Sequence, residues 1–503
     1  MTLGGVIVLL SIGAAFVAPH WPYSEQVLVP AIQEAFKTKV TIQSFHRHYF
    51  PHPGCDAEGV SLTFPQNAQG ERTVVAVQRI AITGRYSDLL FNPQHFAHVR
   101  LDRLYVRIPP RSARNPYSAP GTEGESDVAK VSIGSVTAHD AVLEFANESH
   151  RDPLKFEIHK LRVESIAAGR PMFYQVDMRI SEPPGELQSQ GGFGPWLSGD
   201  VGNIPLHGTV TLKDASLDKY HAIRGIVQSQ EHFNGTLDQI YIEGEASVAN
   251  FELKTAHHPV AVSTQFQVVV NGLRGEAQLK TVTATVRRTV AYAHGSVDKN
   301  PLRDRRETSV DFSVQHGRAE DILWLFDDDP KPAMLGACNF TGHVRAPQFG
   351  PGFLESLEFQ GRFEVRDGHF QPGTQSKTNE LSVRAQGKKL KDPHDAPDAP
   401  VQSLASDVTM QHAIATFPNL FFEIPNARAR MHGTYNFLHH QVDLHGDLWT
   451  QATISQETSG FKAALLKPFD PLFQRKHAGA RIPVLMDGPI NNPHFGTEIV
   501  SKK

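Results

Sequence analysis

From Val40 onward the apolar residues of this chain recur at every second position, the period of a strand with one dry and one wet face. Leu357, Phe359, Gly361, Phe363 and Val365 fall on one side, and Glu358, Gln360, Arg362, Glu364 and Arg366 on the other. Met431, Gly433, Tyr435 and Phe437 stand in the same way against Arg430, His432, Thr434 and Asn436. Val442, Leu444, Gly446 and Leu448 stand against Asp443, His445 and Asp447, while 260–270 alternates less strictly. Such a pattern excludes a helical bundle and predicts a mainly β protein. The 39 glycines and 34 prolines fit many turns, and Asn234-Gly235, Asn271-Gly272 and Asp367-Gly368 are candidate hairpin turns. A glycine enters an alternating run at Gly208, Gly235, Gly244, Gly342, Gly361 and Gly433, at spacings too irregular for a solenoid of fixed period. Roughly 20 to 28 strands of ordinary length fit into 40–496.

Helical period is confined to short pieces. Ser24 can cap a helix over 25–37, where Val27, Leu28, Ala31, Ile32, Ala35 and Phe36 form an apolar stripe interrupted by Pro30. Further short helices are predicted at 87–91, 319–326 and 461–467. Two polar, proline-rich stretches, 111–127 and 387–400, read as flexible connections. They divide the chain into an amino-terminal region 24–110, a central β region 128–386 and a carboxy-terminal β region 401–503.

Residues 1–24 contain no Asp, Glu, Lys or Arg, and Val6, Ile7, Val8, Leu9, Leu10, Ile12, Phe16 and Val17 make their centre apolar. A helix needs about 20 such residues to span a bilayer. Residues 1–23 are therefore expected to be a transmembrane anchor, with Pro19 and Pro22 at its exit and Trp21 and Tyr23 at interfacial depth. The alternative is a cleaved signal peptide. The basic first region of a signal is absent, and a cut after Ala18 would leave Phe16 at the −3 position and Pro19 at +1. Lys37, Lys39 and Arg47 follow the segment and none precedes it, which by charge alone favours a cytoplasmic body.

Chemistry is sparse. With 49 Lys and Arg against 53 Asp and Glu the net charge is −4, so the broad basic face that nucleic acid requires is not expected. Phosphate loops, His-Glu-x-x-His, nucleophile elbows and Cys-x-x-Cys are absent from the sequence. The 26 histidines include the pairs His257-His258 and His439-His440 and the cluster His46, His48 and His52, with Cys55 and Asp56 beyond it. Adjacent strand residues point to opposite faces, so no metal site is expected. Asp327-Asp328-Asp329 lacks the alternation and glycine of a calcium loop. Asn147, Asn234 and Asn339 head glycan acceptor triplets, informative only in a eukaryotic secretory protein. Cys55 and Cys338 are too few for a disulfide framework. The expectation is a protein that is not an enzyme and has no cofactor.

Several segments resemble the AsmA family of bacterial envelope proteins. In the amino-terminal region these are Val27-Leu28-Val29-Pro30, Phe50-Pro51-His52-Pro53-Gly54, Glu58-Gly59-Val60-Ser61-Leu62, Arg79-Ile80 and Ser87-Asp88-Leu89-Leu90. Further on come Gly192-Phe193-Gly194-Pro195-Trp196, the run from Gly317 to Leu323, Ile424-Pro425-Asn426-Ala427 and Gly433-Thr434-Tyr435. The stretch from Ile482 to Gly496 is similar to the family's carboxy-terminal strand pair. The family is related to TamB and YhdP and structurally to the bridge-like lipid transfer proteins. The resemblance implies an inner-membrane anchor, a periplasmic body, and a long antiparallel sheet rolled into an open apolar groove that carries phospholipid or another acyl-chain lipid, in support of outer-membrane homeostasis. It supplies no catalytic residues and leaves room for other envelope proteins as partners. The family's basic residues before the anchor are missing here, which fits a shortened start and would account for the charge count. On this reading the groove is lined by Phe359, Phe363, Val365, Tyr435, Phe437, Val442, Leu444 and Leu448. Periodicity alone does not separate an open trough from closed sandwiches, and an assembly factor for outer-membrane proteins that uses its sheet edges without lipid cargo is the alternative.

Overall fold

A computed structural model of the protein describes residues 23–36, 38–64, 74–91, 95–108, 132–146, 153–167, 169–195, 200–220, 223–254, 256–300, 305–326, 331–347, 353–386, 396–450, 481–489 and 494–496. It is mainly β, one large sheet that stays open and unclosed, with a few short helices. The anchor expected at 1–23 lies outside the described residues except for Tyr23. Among the described residues no helix is long and apolar enough to cross a membrane. The helix expected at 461–467, the acidic triplet 327–329 and Asn147 also lie outside them. The chain divides into two compact units, the first holding 1–219, 227–244 and 270–275 and the second 220–226, 245–269 and 276–503.

In the first unit α1 (Glu25–Phe36) precedes β1 (Lys39–Thr41), β2 (Ser44–His48), β3 (Gly54–Thr63) and β4 (Val74–Thr83). After α2 (Tyr86–Phe91) come β5 (His95–Ile108), β6 (Ser132–Phe145), β7 (Leu154–Ile166), β8 (Met172–Ser181), β9 (Pro184–Phe193) and β10 (Pro205–Ser216). Both β1 and β2 pair with β3, and the break between them lies opposite Gly59, whose φ of +61° places a bulge where Gln43 packs. The pairings from β3 to β10 are antiparallel except that of β5 with β6, which is parallel from His95 opposite Ser132 to Ile108 opposite Phe145. A parallel pair needs a crossover to bring the chain back to the starting end. Residues 111–127, read above as a linker between regions, belong to the connection between two strands that lie side by side.

The first core forms because α1 and the strand face are complementary. Val29 and Ile32 of the helix pack on Val40, Ala57, Val60 and Val77. Leu28 reaches a second cluster around Tyr23 and Cys55, joined by Phe45, Ile82, Leu89 and Phe96. Tyr23 is only 1% exposed, so it belongs to the folded body and not to the anchor whose last residue it was expected to be. From there the dry face runs on across the strands, as in the row Ala57, Ile80, Leu101, Ala138, Leu161 and Val176.

In the second unit β11 (Ile223–Arg224) pairs with the far half of β13 (Gln239–Leu253). Nearly all of β12 (Ile226–Thr236) and the start of β13 belong to the first unit, while β14 (Val260–Asn271) falls mainly in the second, ahead of β15 (Glu276–Val286). Antiparallel partners then follow one another: β16 (Thr289–Asn300), β17 (Arg305–Arg318), β18 (Met334–Pro347), β19 (Glu358–Phe370), β20 (Val401–Gln411), β21 (Ile414–Ile424), β22 (Ala427–Asn436), β23 (Gln441–Thr450), β24 (Arg481–Pro489) and β25 (His494–Gly496). Helices α3 (Ala319–Phe326), α4 (Phe353–Ser356) and α5 (Pro372–Arg384) interrupt the meander.

Of the three candidate hairpin turns, one is a turn and two lie within strands. Asn271 makes a turn, its Oδ1 accepting from the Leu273 and Arg274 amides. Asn234-Gly235 lies inside β12, and the chain turns at Leu237 and Asp238 instead. Asp367-Gly368 is a bulge within β19: Asp367 takes a φ of +49° and the strand continues to Phe370. The helix α5 was not anticipated, because PGTQSKTNELSVR carries no sustained apolar stripe.

Candidate functional site

The pairing register of the second unit sorts its side chains into rows. One row runs Leu279, Gly295, Val310, Val344, Phe359, Met410, Ala415, Tyr435, Val442 and Gly488, from β15 to β24. Every member is apolar, glycine or the amphipathic tyrosine. The neighbouring row, on the other face, runs His294, Asp311, His343, Gln360, Thr409, Thr416, Thr434, Asp443, Asp487 and His494, from β16 to β25. Every member of that row is polar. Because a one-residue slip would exchange the two rows, the alternation itself holds the register.

Of the residues expected to line a groove, Phe359, Phe363, Val365, Tyr435, Val442, Leu444 and Leu448 share this apolar face by register. Phe437 follows β22 and joins them by packing with Tyr435, ring centroids 4.8 Å apart. Their surroundings differ along the strands. Val365 and Leu448 sit in a cluster where Ala319, Ile322 and Leu323 of α3 and Leu381 of α5 cover the sheet. Helix α5 is fastened there by Ser382 Oγ donating to the Pro425 carbonyl at 2.7 Å and by the Ala399 amide donating to Asn379 Oδ1 at 2.9 Å. Further along, Phe359, Phe363, Phe417, Tyr435 and Phe437 gather around Val408, Met410 and Ala415, and among the described residues no helix side chain joins the cluster. These rings are half-buried, whereas Val442 and Leu444 are only 5% and 8% exposed.

Phe312 and Phe340 belong to the same face and were not singled out from the sequence. With Phe359 they form a triad whose ring centroids lie 5.3 to 6.0 Å apart. The signal was present in Val310-Asp311-Phe312-Ser313-Val314, an alternation as regular as that of 357–366. The triad lies over Gly342 and Gly361, which face each other across β18 and β19. A Cβ on Gly342 would stand 2.5 Å from Phe359 Cε2, and one on Gly361 would stand 2.5 Å from the Thr341 carbonyl oxygen. Glycine is needed at both positions because the ring edges occupy the space of the missing side chains.

On the wet face, carboxylates pair with histidines and arginines. His343 Nδ1 lies 2.8 Å from Asp311 Oδ1, His445 Nε2 2.8 Å from Asp443 Oδ1 and His494 Nδ1 2.9 Å from Asp487 Oδ1. An open furrow of about 480 Å³ runs there between Asp311, His343, Gln360, Arg362 and Asp407. Among the described residues no three His, Cys, Asp or Glu side chains converge as a metal site. His46 and His48 share a face with Asp56, while Cys55 stands opposite Arg47 and points into the core with Tyr23. The paired histidines lie in connections and not in strands: His439 and His440 in the turn after β22, His257 and His258 before β14. His258 packs against Trp324 with tilted rings, centroids 4.5 Å apart.

Burial pushes the Cys55 thiol up to about 12, with Asp56 adding to the shift, and the Cys338 thiol up to about 11, with Glu320 adding to it. Both are small apolar core groups at neutral pH and not nucleophiles. What the second unit offers is extent: a dry face, partly roofed by helices, on a sheet that remains open. Comparison with family models, characterised proteins and solved structures returns no match.

Proposed function

We propose that this chain is a membrane-anchored envelope protein of AsmA type that binds acyl chains on the apolar face of its open sheet and supports phospholipid transport and outer-membrane homeostasis. The observation that carries this reading is the uninterrupted apolar row from Leu279 to Gly488 beside an uninterrupted polar row on the opposite face. An apolar strip of such extent on an open sheet is an aggregation liability unless something apolar occupies it. A linear hydrocarbon chain matches it, because it needs contact area and no specific polar partner. The half-buried rings of Phe359, Phe363, Phe417, Tyr435 and Phe437 form the part of the face where a chain can lie, and the covered end under α3 and α5 keeps the sheet folded. Head groups would stay at the wet margin. The segment 1–22 would anchor the protein in the inner membrane with its body in the periplasm, and no catalytic step is invoked.

The test is mass spectrometry of lipid recovered with a chain beginning at Trp21, which removes most of the apolar segment and keeps Tyr23 in the core. Phospholipid in near-stoichiometric amount is expected. A folded protein that emerges free of lipid from membranes and from lipid-supplemented refolding overturns the reading.

A further inference from the structure

At one end of the first unit, large apolar rings face water. Phe50 is 84% exposed and Phe91 86%, with Tyr49 and Tyr86 at 49% and 42%. They come from two segments held side by side: the β2–β3 connection and α2 with the residues before it. The Gly84 amide donates to the Pro53 carbonyl at 2.8 Å, the Tyr86 hydroxyl donates to the Tyr49 carbonyl, and the Phe50 and Tyr86 rings lie 5.9 Å apart. Directly beneath them is Tyr23. Its ring meets Gly84, where an added Cβ would collide with the Tyr23 hydroxyl, and packs with Leu89 on the inner side of α2. The described chain therefore enters the body at this patch, and the segment immediately before it, 2–22, is the long uncharged apolar run of the sequence.

We infer that the patch of Tyr49, Phe50, Tyr86 and Phe91 is a second membrane contact, seated in the interfacial region of the bilayer that holds the amino-terminal segment. Rings placed around the point where an apolar segment joins a folded body lie within reach of the surface that segment enters. Aromatic side chains are enriched at that depth. Arg85, exposed one residue before Tyr86, adds a cation where phosphate head groups lie. The two attachments together would fix the tilt of the first unit, which a single spanning helix leaves free. The inference rests on the anchoring part of the proposed function and is independent of what the sheet carries.

The experiment uses the full chain in vesicles of phosphatidylcholine and phosphatidylglycerol, with one cysteine added at a time and a nitroxide attached. Cys55 and Cys338 are buried, so an added exposed thiol labels selectively. Phe50→Cys and Phe91→Cys replace exposed rings and leave the core intact. Arg107→Cys is the control, near the end of β5 opposite Val74 and away from the patch, roughly 30 Å distant at about 3.3 Å per residue. Power-saturation measurements are expected to show the labels at 50 and 91 colliding more with oxygen than with an aqueous nickel chelate, and the label at 107 the reverse. Flotation after carbonate extraction reads anchoring separately. Protein that floats with all three labels in water overturns the patch and leaves the anchor standing. Protein that is stripped by carbonate yet shields 50 and 91 when bound supports the patch without the anchor.

Discussion

Leu444→Asp and Phe363→Asp place the same charge on the same face of the second unit, and the structure assigns them different outcomes. Leu444 is 8% exposed and lies between Gly433 and Met486. Losing its burial costs about 2–3 kcal/mol. An aspartate there must also be held neutral at pH 7, about three pH units above its ordinary pKa, which costs about 4 kcal/mol more. The total approaches the whole stability of an ordinary domain, about 5–15 kcal/mol, so this variant is expected to unfold the second unit or bring it close to unfolding. Phe363 is half-buried, and its main ring partner is Phe417 at a centroid distance of 6.4 Å, edge to face. A carboxylate at 363 reaches water and stays ionised, leaving a loss of about 2–3 kcal/mol from partial burial and the ring pair. That variant should fold and lose its lipid. Circular dichroism melts and lipid mass spectrometry on the same preparations make the comparison. A Phe363→Asp protein that unfolds as readily as Leu444→Asp refutes the open face at that position, and a folded one that keeps a full lipid load refutes acyl binding there.

Tyr23→Ala, or a chain begun at Ser24, should lower the urea midpoint of the first unit by an amount equivalent to about 3–5 kcal/mol, the usual cost of removing a buried ring. Equal midpoints for chains begun at Trp21 and at Ser24 would show that Tyr23 adds nothing. The imidazole of His98, which bonds Ser135 Oγ at 2.9 Å, is held below its ordinary pKa by burial first and then by Arg162 and Arg100. The unfolded chain therefore takes up a proton before the folded one, and stability present above about pH 6.5 falls as pH is lowered through that value. His98→Gln should flatten that part of the stability profile, and an unchanged slope would count against the assignment. Cys55 and Cys338 should resist iodoacetamide at pH 8 in the folded protein and react fully in urea; alkylation of either thiol without unfolding would contradict their burial.

The dry and wet faces of β22, of β19 up to Arg366 and of β23 up to Leu448 were legible because each side chain there obeys a period of two. The hidden features are those that break local rules for a reason several strands away. The parallel β5–β6 pair leaves no mark on either strand, since a strand buried on one face alternates in the same way whichever direction its neighbour runs. Asp367-Gly368 carries the residues of a tight turn, and only pairing with β18 on one side and β20 on the other converts them into a bulge. Helix α5 is specified by what it covers: Ser382, Asn379 and Gln375 are polar by composition, yet their bonds tie the helix down over the sheet. Phe359, Phe363 and Leu444 could be assigned to one face from sequence. That α3 and α5 cover the Val365 and Leu448 end of that face required the fold.

The bulges have a meaning in terms of parity. A two-coloured strand can be read only in step, and one residue too many inverts everything downstream of it. At His316, with a φ of +55°, β17 advances from Val314 to Gly317 while β18 advances only from Phe340 to Cys338. At Asp367, β19 advances from Arg366 to His369 while β18 moves from Ala337 to Leu335. In each case the surplus residue is absorbed in a left-handed kink, and the next side chain returns to the colour it would otherwise have lost. A chain that writes one long stripe across many strands therefore carries its own points of resynchronisation. An inserted or deleted residue beside a kink can be taken up locally, whereas the same change in the middle of 310–314 would turn the remainder of the strand inside out.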